Sequence, residues 1–384
     1  MGKRGNNSKK RRRTSAEGGK GPKRKFPVDK AEDDNAKEDG GVPAWDHLQD
    51  ELILRIFFLL PLRDLVRTSV ACRRWHRLAF DQSLWHSVDL HGVINTGLAL
   101  EQVLKAGVRR LSLRGVINTA PEPKGTILLL HSKKMDNTQH FEIMCRLKIT
   151  EMDLSMTPIN TLTLERIISC CTRLECVSLS GMKLSCAIFL GLGCNRHLRQ
   201  LNLSKCNSFS LYSLCRMLRS CSRIQQLNMS DCIFHDKFTK TVLNNVSSTV
   251  THLDLSGKRG IFSVDDLNAL VKRCPDIRTL HFNHKWHLTV KFLPALYKLK
   301  HLEHLSLNGC YYLHAMTDAR KTFPSLKYLD MRDCKNTSGI SLIEANPGVC
   351  INHYPSFVVA SPTQPYESGG DLRMWDRKFR LRFP

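Results

Sequence analysis

From residue 108 a six-residue motif returns at nearly constant intervals, and this period constrains the fold more than any other feature of the chain. The segments are VRRLSL at 108, ITEMDL at 149, LECVSL at 174, LRQLNL at 198 and IQQLNM at 224. VTHLDL at 250, IRTLHF at 277, LEHLSL at 302 and LKYLDM at 326 continue the series. From 149 onward the steps are 25, 24, 26, 26, 27, 25 and 24 residues. Each motif alternates apolar and polar residues as a half-buried strand does, and the remaining residues of each step leave room for one helix. A unit of this size cannot bury its apolar face alone, so the units must stack.

The period is that of leucine-rich repeats. It predicts an α/β fold: a curved solenoid over residues 87–351, about ten repeats, with parallel strands on the concave face. Four repeats carry a cysteine three residues past the strand, at Cys206, Cys232, Cys310 and Cys334. Another precedes three of the strands, in SCCTRL, SCSRI and RCPDI. These spacings suit thiols in tight buried corners. Between the last two apolar positions a polar stripe reads Ser112, Asp153, Ser178, Asn202, Asn228, Asp254, His281, Ser306 and Asp330. On the alternation rule it faces the concave side, as a polar binding face or as a merely solvated one. The step from 108 to 149 is too long, so residues 116–148 form an irregular repeat or an insertion. CINHY at 350–354 resembles a final edge strand. The tail at 352–384 keeps Phe357, Tyr366, Trp375 and Phe379 and is expected to pack back on the solenoid.

Ahead of the repeats stands WDHLQDELILRIFFLLPL, residues 45–62, in which only Arg55 interrupts the run from Leu52 to Leu60. Asp46 and Asp50 are capping candidates and Pro61 stops the run. A dozen helical residues span about 18 Å, too short for a bilayer. Residues 44–86 read as three short helices, Leu48–Leu60, Arg63–Ser69 and Cys72–Ala79. About forty residues cannot hide this much apolar surface from water on their own, so the segment reads as a docking module.

Charge enters at this point. The chain carries +23 overall, of which residues 1–43 contribute 13 Lys/Arg against 7 Asp/Glu. A body this basic favours acidic partners. The first 43 residues are poor in aliphatics and expected to be a disordered basic arm. Within them Lys9, Lys10, Arg11, Arg12 and Arg13, then Lys23, Arg24 and Lys25, form two basic clusters. They read as a nuclear import signal or as a solvated tail, and the expected location is the nucleus, also the cytoplasm. Fifteen cysteines without C-x-x-C spacing and without an apolar leader favour a reducing compartment over disulfides or a zinc ribbon. His252, His281 and His304 would fall on neighbouring strands, yet an open sheet offers no closed shell of ligands, and no metal or cofactor is expected. There is no G-x-S-x-G, no phosphate loop and no H-E-x-x-H, so the chain reads as a binder without catalytic residues or a small-molecule substrate. No membrane partner is expected either.

LQDELILRIFFLLPLRDLVRTSVACRRWHRLAFDQSLW, residues 48–85, resembles an F-box. It shows the L-P-x-E-L opening with Gln49 in place of the proline, then the I-F pair, D-L, V-x-C-x-x-W and D-x-x-L-W in order. The resemblance implies that the helices dock on the adaptor subunit of an SCF (cullin–RING) ubiquitin ligase, and through it on cullin and RING subunits. The adaptor-binding residues it implies are Trp45, Leu48, Glu51, Leu52, Ile56, Phe57, Leu65, Val70, Cys72, Trp75, Leu84 and Trp85. Some of these, Trp75 and Trp85 above all, could equally hold the helices together.

An F-box followed by cysteine-type repeats is similar to the S-phase-kinase-associated F-box family. NLSKCNSFS, RSCSRIQQLNMS, THLDLSGKRG, LVKRCPDI and HLEHLSLNGCYYL carry that likeness. It implies a non-catalytic substrate receptor for a phosphorylated cyclin-dependent-kinase inhibitor, acting at the G1/S transition. A Cks-type accessory subunit and the cyclin–kinase complex are the further partners implied. Arg259, His284, Asn308, Tyr311, Tyr328 and Phe357 are the substrate or accessory contacts it implies. Three positions depart from the family: Asp231 replaces an aromatic, His284 an acid and Gly309 a base. Two alternatives stand beside this reading, an SCF receptor for another acidic or phosphorylated nuclear client, and a basic scaffold that binds nucleic acid or chromatin.

Overall fold

The structure, a computed structural model, describes residues 45, 47–60, 62–90, 100, 103–104, 107–114, 147–208, 210–232, 237–258, 260–313, 319–334, 339–352 and 359–360. The basic arm with both its clusters, Asp46, Pro61, Arg259, Phe357 and nearly all of 116–148 and 353–384 lie outside them. The chain divides at Leu48/Gln49 into two units.

The second unit opens with α1 (Asp50–Leu59), α2 (Leu62–Thr68) and α3 (Arg73–Ala79), followed by a 3-10 turn, Gln82–Trp85, that the sequence reading did not anticipate. Asp50 is not the cap of α1: the N-cap is Gln49, without a side-chain cap bond. Asp50 instead ties α1 to α3, accepting from Arg74 Nε at 2.9 Å and from Arg77. The Arg74 hydrogen bond holds its carboxyl below the usual range. Cys72 caps α3, its sulfur accepting from the Trp75 amide.

Among the described residues eleven strands then form one parallel sheet in strict chain order. They are β1 (Ser87–Asp89), β2 (Arg110–Ser112), β3 (Glu151–Asp153), β4 (Cys176–Ser178), β5 (Gln200–Asn202) and β6 (Gln226–Asn228), then β7 (His252–Asp254), β8 (Thr279–His281), β9 (His304–Ser306), β10 (Tyr328–Asp330) and β11 (Cys350–Ile351). In every pair the middle apolar residue sits beside its counterpart, as in Leu201, Leu227 and Leu253. Those side chains are buried. β1, which starts two residues past the D-x-x-L-W end at Trp85, has no motif of its own and was not legible. β2 pairs directly with β3, and residues 115–146 between them lie outside the described residues.

Helices return the chain between strands: α4 (Thr161–Ser169), α5 (Cys186–Gly193), α6 (Leu211–Ser220), α7 (Lys237–Asn245) and α8 (Val264–Arg273). Short pieces, α9 (Leu293–Leu296), α10 (Ala319–Thr322) and α11 (Gly339–Ala345), follow. Their starts are capped as the sequence chemistry dictates: Asn160 accepts from the Thr163 amide at 2.7 Å, and Ser263 with Asp266 forms a capping box. The longer helices bury an apolar face of this spacing, as Leu214, Met217 and Leu218 do at i, i+3 and i+4 in α6.

Cysteines seal the corners. The thiols of Cys206, Cys232, Cys310 and Cys334 donate to the carbonyls of Leu179, Leu203, Phe282 and Leu307, each one repeat back, at 3.0–3.2 Å. Burial pushes the Cys206 and Cys310 thiols up to about 12, which keeps them protonated donors. At this corner the chain turns through a left-handed residue whether or not a thiol follows: Met156, Gly181, Lys205, Asp231, Gly257, His284, Gly309 and Asp333 all have positive φ. These eight positions recur at the repeat step.

Candidate protein-docking sites

Two stripes run along α1. Ile53 and Phe57 point inward and are buried, and Phe57 meets the Trp75 ring edge-on at 5.4 Å. Leu52, Ile56 and Leu59, at i, i+4 and i+7, face out, with Phe58 beside them. Val66 on α2 and Val70 just past it add to this exposed apolar set, and Leu59 and Val70 are 79% and 84% exposed. Six large apolar side chains left open on some twenty residues is the mark of a covered surface in the assembled state. Glu51 and Cys72 are also exposed, Trp75 is half-buried, and in the preceding unit Trp45 is exposed and Leu48 half-buried.

Four of the residues implied as adaptor contacts are placed elsewhere. Phe57, Leu65, Leu84 and Trp85 are buried within the chain. Trp85 stacks on Phe80 at 5.8 Å and donates its indole N–H to the Ala79 carbonyl at 2.8 Å. A tryptophan whose only polar atom is satisfied inside the fold is a packing residue, and these four hold the helices together. Phe58, Leu59 and Val66 were missed, although the i, i+4, i+7 spacing from Leu52 could have flagged Leu59.

The polar stripe of the sheet is buried too, which corrects its reading as an open binding or solvated face. Its Asp and Asn side chains turn back on their own strand ends: Asp153, Asn202, Asn228 and Asp254 each accept from the amide two residues on, at 2.9–3.0 Å. Short side chains on strands this close can satisfy one another without water. At β6 the tail takes part, since Asn228 Nδ2 donates to the Val359 carbonyl at 2.8 Å and Val359 and Ala360 are buried. Toward the C-terminal end the stripe becomes ionisable. His304 Nε2 lies 2.9 Å from Asp330, His281 Nδ1 3.5 Å from Asp254, and the two imidazoles are 4.8 Å apart. Burial alone would raise the Asp254 carboxyl, but hydrogen bonds from His281 and Ser256 bring it below its usual value. His252 on the neighbouring strand is lowered to about 4 by burial. Among the described residues no group of three His, Cys, Asp or Glu could hold a metal ion.

At the corner column the three family departures prove to be one structural position repeated. His284 is exposed, and an added Cβ on Gly309 would lie 2.4 Å from its Nδ1. His284 therefore occupies the space that a basic side chain at 309 would need. Beneath the column lies a cavity of about 370 Å³, lined by Asp231, Phe238, Lys258, His284 and Lys285 among others. Lys285 is 2% exposed, and burial lowers its ammonium to about 8 against the opposing pull of Asp254. Tyr311 stands exposed on the rim beside Tyr312, and Tyr328 is half-buried against His304. Asn308 is engaged internally: it accepts from the Arg332 amide at 2.7 Å, and its own amide donates to Asn283 at 2.8 Å. It is a corner brace.

A helical unit with an open apolar face, leading directly into a stacked parallel solenoid, is the architecture of a two-handed binder. Residues 45–91 match the family described as F-box-like, and residues 98–382 match the SKP2 LRR domain family. The chain belongs to the F-box/leucine-rich-repeat proteins with an SKP2-type repeat domain. It is 32% identical over 122 residues to F-box/LRR-repeat protein 12 of Homo sapiens and 34% identical to that of Mus musculus. Each match covers 30% of this chain and 36% of the relative, so the chain spans about a third of the length of these curated relatives. Among solved structures, an internalin from Listeria monocytogenes is 14% identical with a TM-score of 0.43, covering 67% of this chain and 70% of that one.

Proposed function

We propose that this chain is the substrate-recognition subunit of an SCF ubiquitin ligase. Its F-box helices dock on the Skp1-like adaptor, and its solenoid presents a phosphorylated cell-cycle regulator for ubiquitylation. The observation that carries the reading is the set Leu52, Ile56, Leu59, Val66 and Val70, within the F-box-like match and exposed among the described residues. F-box/LRR proteins are typically non-catalytic, and the contribution of this subunit is distance and orientation, with the thioester chemistry on other subunits. The client of first choice is a phosphorylated cyclin-dependent-kinase inhibitor held with a Cks-type subunit in the nucleus. A basic body and the basic arm support an acidic client and nuclear location.

A second client class is favoured by one observation. His284 closing over Gly309 gives the rim a shape and charge unlike the family pattern, which suits an acidic nuclear client that needs no Cks subunit. The test is co-purification of the full chain with the adaptor, followed by capture of phosphorylated inhibitor peptides with and without Cks. Adaptor binding with Cks-dependent, phosphate-dependent capture supports the first client, and adaptor binding without capture supports the second. A chain that ignores the adaptor would sink the ligase role.

A further inference from the structure

Between Glu175 and Asp231 the chain runs through two repeats without a carboxylate: residues 176–230 hold seven Lys/Arg and no Asp/Glu. This stretch builds α5 and α6, and the next helix, α7, reads KFTKTVLNN, again without an acid. Between α6 and α7, on the helical side of the solenoid, lies a groove of about 590 Å³. Tyr212, Arg216, Arg219, Thr241 and Asn245 line it. Tyr212, Arg216 and Arg219 fall at i, i+4 and i+7, one face of α6, and Tyr212 is 75% exposed.

Lys240 on α7 lies 3.6 Å from Asp266 Oδ1, but the arginines of this face are held in place without a carboxylate. Arg219 Nε donates to Asn245 Oδ1 at 3.0 Å, and Arg223 Nη1 lies 3.2 Å from an imidazole nitrogen of His197. Farther along the same face Arg273 donates to the Leu243 carbonyl and Lys298 to Asn268, both at 2.8 Å. Among the described residues none of Arg216, Arg219, Arg223, Arg273 and Lys298 is within ion-pair distance of a carboxylate. Elsewhere in the solenoid cations are paired, as Arg278 and Lys327 are with Glu303. Guanidinium groups ordered by neutral acceptors keep their full charge and their free N–H donors for an incoming anion. An exposed aromatic at the same spot adds a flat stacking platform, which carboxylates do not need and bases do.

We propose that the outer helical face centred on the α6–α7 groove binds single-stranded nucleic acid, with backbone phosphates on Arg216 and Arg219 and a base stacked on Tyr212. The lateral row from His197 and Arg223 to Lys298 carries the strand across successive repeats. The site is on the helical side, away from the corner rim and from α1, and it does not rest on the ligase reading.

The test is fluorescence anisotropy of a labelled 20-nucleotide oligo(U) with the full chain, in a background where Lys9–Arg13 and Lys23–Lys25 are glutamines, so that the arm does not bind it. Affinity should fall with salt by about 0.7 log units per log unit for each phosphate engaged. Arg216→Gln with Arg219→Gln should weaken binding about tenfold or more and lower that slope by about 1.4. Tyr212→Ala should cost about tenfold with the slope unchanged. An unchanged melting temperature certifies the fold of each variant. An affinity and slope indifferent to the two arginines would overturn the proposal. So would equal displacement by polyglutamate of matched charge, which would assign the face to an acidic polypeptide instead.

Discussion

In the repeats Leu227, Leu253 and Leu280 lie fully buried in one continuous row, while on the N-terminal helices Leu52, Leu59 and Val70 stand open to water. The polar residues show the reverse. Asp153, Asn202 and Asp254 of the solenoid are buried and internally bonded, whereas the surface of α1 to α3 offers few polar groups beyond the Asp50 ties and the exposed cations. Both regions use the same side chains. What differs is the supply of neighbours: each repeat is covered by the next, and among the described residues nothing covers the outer stripe of the three short helices. Burial in the repeats is a matter of stability, and exposure on the helices is a matter of binding.

That difference can be broken most directly in the repeat core. Leu253→Ala should cost about 2–5 kcal/mol in denaturant unfolding, because stacked repeats cannot collapse onto the cavity. Leu59→Ala, by contrast, should change stability by no more than about 0.5 kcal/mol. A similar loss at both positions would erase the distinction.

The corner column gives the next largest effect. Gly309→Arg should destabilise by about 1–3 kcal/mol through the clash with His284, and His284→Ala in the same chain should recover part of that loss. Additive costs in the double variant would show that the two positions are independent. Acid should then separate the buried stripe from the helices. Burial lowers His252 to about 4 from an ordinary 6.5. A depressed histidine contributes stability that is complete above about pH 6.5 and is lost as the pH falls toward 4. The expected loss between pH 7 and pH 5 is on the order of 1–2 kcal/mol, and His252→Gln should flatten it in urea titrations. The smallest effect belongs to the surface network of Glu303 with Arg278 and Lys327. Glu303→Gln should cost about 0.2–1 kcal/mol and less at high salt, read from melting curves in low and high NaCl.

The strands from β2 to β10 were legible because the L-x-x-L-x-L motif states its own alternation and its own period. β1 was not, since Ser87–Asp89 has a single inward apolar residue, Val88, and no repeat step to announce it. Three short helices could be placed from helical spacing, but their outer and inner stripes differ by one residue in register, so Phe57 and Ile56 could not be told apart without packing. The polar stripe does run in register along the strands, but its environment was misread. Alternation fixes the side of the sheet, but whether a side chain bends back to its own backbone is decided by the turn that follows. The corner column was hidden for a different reason: Met156, Lys205, Asp231 and His284 share a left-handed backbone that their side-chain chemistry does not reveal.

The central claim is that the open stripe of α1 with Val66 and Val70 is a docking face for the Skp1-like adaptor. Calorimetric titration of purified adaptor into the full chain and into a Leu52→Asp, Ile56→Asp variant, with a thermal melt of each, tests it most directly. The account predicts stoichiometric binding to the unaltered chain, a loss of about a hundredfold or more in the variant, and melting temperatures that agree within a few degrees. Adaptor binding that survives both substitutions would contradict it.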